Sequence, residues 1–137
     1  MAAPIRVLIV DDERDYLEPI SFWFRTKGYD VSTAESGRDA IAQVRAHAPD
    51  IVFMDVNMPG MSGIEALRTI RTFNAQLPVI IVTAAYQSEE TFTDARALGI
   101  AGFFPKQSGM DELARLLEVT LRTHGKLRAQ APPESPA

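Results

Sequence analysis

Two rhythms of apolar residues alternate along this chain. Ile5 to Val10, Ile51 to Met54 and Val79 to Val82 are nearly continuous apolar runs led by Ile and Val, and they read as strands buried on both faces. Between and after them, apolar positions recur at helical spacing: Leu17, Ile20 and Phe24 with Trp23 beside them, then Ala40, Ile41 and Val44, then Ile64, Leu67 and Ile70, and finally Leu113, Leu116, Leu117 and Leu121. Shorter strands over Tyr29 to Ala34 and Gly102 to Lys106, and a more polar, Ala-rich helix over Glu89 to Leu98, complete the series. Gly28 and Gly99 close helices, Pro49 ends another, and the pairs Ser36/Asp39, Ser62/Glu65 and Ser108/Asp111 have the spacing of helix caps. Pro19 lies early enough in the first helix to be tolerated near its first turn. Five strands alternating with five helices predict an α/β domain with a parallel sheet, right-handed crossovers and helices on both faces.

Chemistry enters where the apolar runs stop. The first run ends on Asp11-Asp12-Glu13, the third strand on Asp55, the fourth on Thr83 and the fifth on Lys106. In a parallel sheet all of these gather on one rim, where open α/β sheets place their ligands. For a doubly wound, flavodoxin-like sheet of order 2-1-3-4-5, the crevice opens between strands one and three, so Asp11, Asp12 and Asp55 would flank it. Singly, each residue is commonplace: Asp ends strands, Asp pairs cap helices, and most Lys residues are solvated. Their joint placement at successive strand ends is not. Three neighbouring carboxylates raise one another's proton affinity unless a cation compensates them. An all-oxygen site of few carboxylates points to Mg²⁺, which usually keeps water and meets a phosphate. A carboxylate is also a nucleophile toward phosphoryl groups. Asp55 could carry the phosphate while the Lys106 ammonium and the Thr83 hydroxyl serve separate phosphoryl oxygens.

Composition narrows the setting. The 137 residues, 46% of them hydrophobic, suit one compact domain, expected over residues 1–125, followed by a disordered tail or linker over 126–137 with the Pro-rich ending AQAPPESPA. A net charge of −4 gives no electrostatic reason to bind nucleic acid or an anionic membrane. Without Cys, disulfides, thiol catalysis and thiolate metal sites are excluded. No apolar run approaches the ~20 residues of a membrane span and the N-terminus lacks a signal-peptide pattern, so a soluble cytoplasmic location is expected.

From about Ile5 to Arg122 the sequence resembles the receiver domain of two-component response regulators. The likeness lies in Asp11-Asp12, in D-V-N-M-P-G-M-S-G around Asp55, in Thr83-Ala84, and in Lys106 with Phe103 three residues before it. The resemblance implies that Asp55 accepts a phosphoryl group from a phosphohistidine on a sensor histidine kinase or a histidine phosphotransfer protein. It implies direct Mg²⁺ ligation by Asp12, Asp55 and the Asn57 backbone carbonyl, with Asp11 acting through water. Thr83 and Phe103 would form a switch pair that remodels the face of helix four, strand five and helix five, and small Ala84 would leave the phosphoryl site open. The output, an appended domain or a separate protein, is unspecified, and a phosphorylation-dependent dimer is compatible with it.

Two positions depart from the family pattern. Gln107 stands where Pro often follows the lysine, with Pro105 on the other side, which puts the path of that loop in question. Glu13 is expected to stabilise the start of helix one rather than bind metal. Asn57 and Ala85 occupy positions that tune phosphoryl lifetime in the family. His47 and His124 are assigned to solvated helix ends, Phe22 and Trp23 to helix one with one of them exposed, and Met54, Met58 and Met61 to packing. Two rivals remain: an aspartyl-nucleophile phosphatase or phosphomutase, which typically wants a second Asp where this chain has Asn57, and a pseudo-receiver that signals without phosphate.

Overall fold

The computed structural model describes residues 4–84 and 87–125. The predicted tail over 126–137 and Ala85 lie outside the described residues. The strands are β1 (Arg6–Val10), β2 (Asp30–Ala34), β3 (Ile51–Asp55), β4 (Val79–Thr83) and β5 (Gly102–Pro105); the helices are α1 (Arg14–Thr26), α2 (Gly37–Ala46), α3 (Gly63–Arg71), α4 (Glu89–Ala97) and α5 (Met110–Thr123). All neighbouring strands pair in parallel, in the order β2-β1-β3-β4-β5. The expected doubly wound sheet is therefore the observed one.

Strand periodicity sorts the core into two layers. Val7, Ile9, Ile51, Phe53, Ile80 and Val82 point to one face and meet Leu17, Ile20 and Phe24 of α1 and Leu113, Leu117 and Leu121 of α5. Leu8, Val10, Val52, Met54, Val79 and Ile81 point to the other and meet α2, α3 and α4. Right-handed crossovers in a sheet of this order give this division, with α1 and α5 on one side and α2, α3 and α4 on the other. Every residue of β3 is buried. Asp55 thus ends the most enclosed strand in the molecule's centre, paired with Val82 of β4.

The caps at Ser36 and Ser62 form as the spacing predicts. The Asp39 N–H donates to Ser36 Oγ, and Ser62 and Glu65 exchange both bonds of a capping box. The cap expected at Ser108 does not form. Helix α5 begins one residue later, with Gly109 at its N-cap and no side-chain bond, because the Ser108 N–H is turned back onto the Pro105 carbonyl. Pro19 also departs from expectation, lying inside α1 rather than at its first turn. The helix continues because Pro19 and Asp15 are exposed; water can serve the Asp15 carbonyl that Pro19 leaves without an intrahelical donor. Phe22 is the exposed member of its pair, at 69%, while Trp23 packs partly against the core. His47 and His124 are exposed C-caps of α2 and α5.

Helix α4 is fastened differently from its neighbours. Arg71, at the end of α3, donates from Nε to the Leu98 carbonyl at 2.7 Å and from its terminal nitrogens to the carbonyls of Gly99 and Asn74 at 3.1 Å each. One guanidinium fork thereby satisfies carbonyls at the C-terminal end of α4. No described helix is long and apolar enough to cross a membrane.

Candidate functional site

The site is built at the carboxyl edge of the sheet. Asp11 follows β1 and is 1% exposed; its Oδ1 accepts the Glu13 N–H at 2.8 Å, a turn that ends the strand and starts α1. Asp12 is half-buried and Asp55 is buried at the end of β3. One oxygen from each of Asp11, Asp12 and Asp55 lies within 4.8 Å of the others. The three carboxylates flank the β1/β3 crevice, as the strand order requires.

Glycine sets the floor of this crevice. A Cβ on Gly63 would stand 2.0 Å from the Asp55 carbonyl oxygen, so only Gly allows α3 to start against that backbone. The Gly63 N–H donates to the Val56 carbonyl at 2.9 Å, and Gly60 takes a left-handed φ of +80° within the same loop. The loop carrying Asn57 is thus pinned at both ends to the strand that carries Asp55.

Lys106 follows β5 and reaches the crevice from the far side. Its backbone N–H donates to the Thr83 carbonyl at 2.7 Å, tying the ends of β4 and β5 together. Its Nζ lies 2.7 Å from Asp11 Oδ2, 2.9 Å from Glu13 Oε1 and 3.8 Å from Asp55 Oδ1. The Tyr16 ring stands 4.9 Å from the ammonium on a further side. Gln107 in place of Pro therefore does not prevent Lys106 from reaching the acidic cluster, and no peptide bond among the described residues is cis. Glu13 stands at the start of helix one as expected, at the N-cap of α1, and lies outside the group of three carboxylates. Its backbone carbonyl starts α1 by accepting from Tyr16 and Leu17, but its side chain makes no cap and binds Lys106 instead.

Thr83 is half-buried at the end of β4 and Ala84 is exposed just beyond it. Phe103, on β5, is half-buried. Its ring meets Phe92 of α4 edge-on at 4.6 Å and carries the Arg96 guanidinium 5.7 Å from its centroid. Phe103 consequently faces α4, not the carboxylates.

Burial is the main electrostatic fact here. It pushes the Asp55 carboxyl up to about 7, with repulsion from Asp11 next, while Lys106 and a hydrogen bond from the Asn57 backbone work the other way. Burial also raises Asp11, against Lys106. The Tyr16 hydroxyl is pushed up to about 12, again by burial first. Burial alone would lower the Lys106 ammonium, but Asp11, Glu13 and Asp55 together outweigh it and hold it above its ordinary value. Glu13 is held below its usual range by Lys106.

Asp55 Oδ1 is buried without any hydrogen-bond partner. Asp11 Oδ2 touches Lys106 at ion-pair distance but outside hydrogen-bond alignment. Carboxylates left so under-served, with only oxygen donors around them, fit a hard divalent cation.

The chain belongs to the response regulator receiver domain family, whose model matches residues 7–118. It is similar to the probable transcriptional regulatory protein TcrX of Mycobacterium tuberculosis, 36% identical over 122 residues that make up 89% of this chain and 52% of that protein. It is 37% identical over 128 residues to the transcriptional regulatory protein ZraR of Escherichia coli, taking in 93% of this chain and 29% of that one. The chain thus spans about half of the first relative and under a third of the second. Among solved structures, the Vibrio cholerae chemotaxis protein CheY4 superposes with a TM-score of 0.78 at 30% identity, covering 87% of this chain and all of that one.

All the residues singled out in the sequence on the β1, β3 and β5 rim come together. The two that sequence reasoning did not assign to the site are Glu13 and Tyr16, whose contacts with Lys106 span most of the chain. Glu13 directly follows the acidic pair and Tyr16 stands three residues on, within α1, but nothing in that spacing points to Lys106.

Proposed function

We propose that this receiver accepts a phosphoryl group on Asp55 from a phosphohistidine of a sensor histidine kinase or a histidine phosphotransfer protein. The observation that supports this reading is the meeting of three carboxylates within 4.8 Å beside a lysine ammonium at the carboxyl edge of the sheet. In the reaction, an Asp55 carboxylate oxygen forms a bond to phosphorus as the P–N bond breaks, its electron pair leaving with the imidazole. Lys106 neutralises one phosphoryl oxygen and the Thr83 hydroxyl donates to another. Ala84, small and exposed, leaves room for the group. Asp12, Asp55 and the Asn57 backbone carbonyl would hold Mg²⁺, with Asp11 acting through water. When bound, the ion supplies positive charge against the carboxylates and the transferring phosphoryl group.

The proposed readout runs through α4, β5 and α5. A phosphoryl group draws Thr83 toward it and the Phe103 ring turns into the space vacated, altering its edge contact with Phe92. Since the named relatives are transcriptional regulators of greater length, an output region attached to the receiver is the natural partner, and phosphorylation-dependent dimerisation one way to engage it.

Acetyl phosphate with Mg²⁺ is expected to add one phosphoryl group, detected by intact mass, and Asp55→Asn to abolish it. Undiminished labelling of that variant would overturn the assignment. Turnover of a phosphate ester with Asp55 essential would indicate a phosphatase instead.

A further inference from the structure

We propose that Glu13 is a positioning residue for Lys106: with Asp11, it holds the ammonium to one side of Asp55, leaving the acceptor oxygen uncovered. This rests on the reading of Asp55 as phosphoacceptor given above. An ammonium has three protons and no acceptor capacity, so its partners decide where it points. Two of those partners are close, at 2.7 Å and 2.9 Å, and both belong to the segment that joins β1 to α1. The third, Asp55 Oδ1, is 3.8 Å away and has no hydrogen-bond partner at all. A buried carboxylate oxygen would normally take the nearest available donor. Lys106 does not close that gap because Asp11 and Glu13 hold it, while the Tyr16 ring blocks a further side at 4.9 Å.

The arrangement serves a nucleophile in two ways. A carboxylate oxygen paired directly with an ammonium has its lone pair engaged and attacks more slowly; one left free does not. At the same time the ammonium stays within reach of the space beyond Asp55, with a proton to offer a phosphoryl oxygen that arrives there, and needs no reorganisation at that moment. Without Glu13, the ammonium keeps Asp11 and shifts onto Asp55, turning a poised donor into a cover. Glu13 does not touch the phosphoryl group; it acts through Lys106. The Glu13 side chain makes no cap hydrogen bond at the start of α1.

The test times phosphorylation of the full chain by acetyl phosphate with saturating Mg²⁺. Glu13→Ala is expected to slow it between about two- and fivefold, the range set by a partly exposed ion pair. Glu13→Gln, which keeps an acceptor without the charge, should fall between Glu13→Ala and the unaltered chain. Asp15→Ala, which removes an exposed charge from the same helical turn, should change nothing. In a Lys106→Ala background the Glu13 effect should vanish. If the Lys106→Ala chain reacts too slowly to time, the nitrogen-15 NMR signal of the Lys106 ammonium carries the comparison: Glu13→Ala should move it and Asp15→Ala should not. A Glu13→Ala chain that labels as fast as the unaltered one or faster, an equal loss in both backgrounds, or an unmoved ammonium signal would overturn the proposal. These results are separable from failure of the acceptor assignment, which would appear as labelling that survives Asp55→Asn.

Discussion

Helices α3 and α4 invite comparison because they share so much. Each has nine residues, begins at a Ser whose hydroxyl accepts a backbone N–H, and lies on the same face of the sheet. Yet α3 buries Gly63, Ile64, Ala66, Leu67 and Ile70, whereas α4 buries only Ala95. Length and capping therefore do not decide how firmly a helix is held; the apolar stripe does. Helix α3 starts against the Asp55 carbonyl and fills the core beneath it. Helix α4 rests on an aromatic edge contact between Phe92 and Phe103 and on the Arg71 fork at its far end. In the proposed function this separates a rigid acceptor side from an adjustable output side.

The largest expected effect comes from breaking α3's seat. Gly63→Val places a Cβ where the Asp55 carbonyl lies, so backbone must shift, and a loss of several kcal/mol, roughly 3 or more, is expected in urea unfolding. A Gly63→Val chain of unchanged stability would show that the close approach does not matter. Leu67→Ala, at a wholly buried position of α3, should cost about 2–5 kcal/mol, while Phe92→Ala, half-buried on α4, should cost clearly less. Equal losses would erase the contrast between the helices. Native-state hydrogen exchange should then find α4 amides exchanging at least about tenfold faster than those of α3, because local opening of α4 exposes little apolar surface. Similar protection in both would refute that.

The smallest effect sharpens the comparison by pH. Without metal, the folded-state Asp55 carboxyl is raised to about 7 from an ordinary value near 3.8. A raised acid favours the folded state fully below its unfolded value, and that contribution is lost as pH climbs through the folded one. Asp55→Asn should therefore raise the melting temperature of the metal-free protein relative to the unaltered chain at pH 8 by a few degrees, and the gain should shrink toward pH 4. Mg²⁺ should stabilise the unaltered chain at pH 8 more than the variant. A melting difference that is constant from pH 4 to 8 would count against the burial of this charge.

The legible parts of the fold were those governed by short-range pattern. Strands buried on both faces show as apolar runs, their ends as the switch to Asp, Thr or Lys, and the Ser62 capping box as a three-residue spacing. The strand order then brought Asp11, Asp12, Asp55 and Lys106 to one edge. What escaped depends on side-chain reach or on tight backbone approach. The Glu13 to Lys106 contact joins residues 93 apart, and nothing local distinguishes a capping Glu from one that leans across to another strand's end. Gly63 reads as an ordinary helix start until the Asp55 carbonyl is seen beside it. Ser108 and Gly109 are both acceptable N-caps, and the turn bond to Pro105 decides between them.

Arg71 leaves α4 with a fulcrum. Its fork grips the Leu98 and Gly99 carbonyls, so the helix is tethered at one tip while the other, at Ser88 and Glu89, lies on the side of Thr83. At about 1.5 Å per residue the helix is roughly 13 Å long, so in the proposed readout a tilt of about 10° about that anchor would move the Ser88 tip by roughly 2 Å. In that readout, a movement of that size would stay within a single helix and leave the sheet in place.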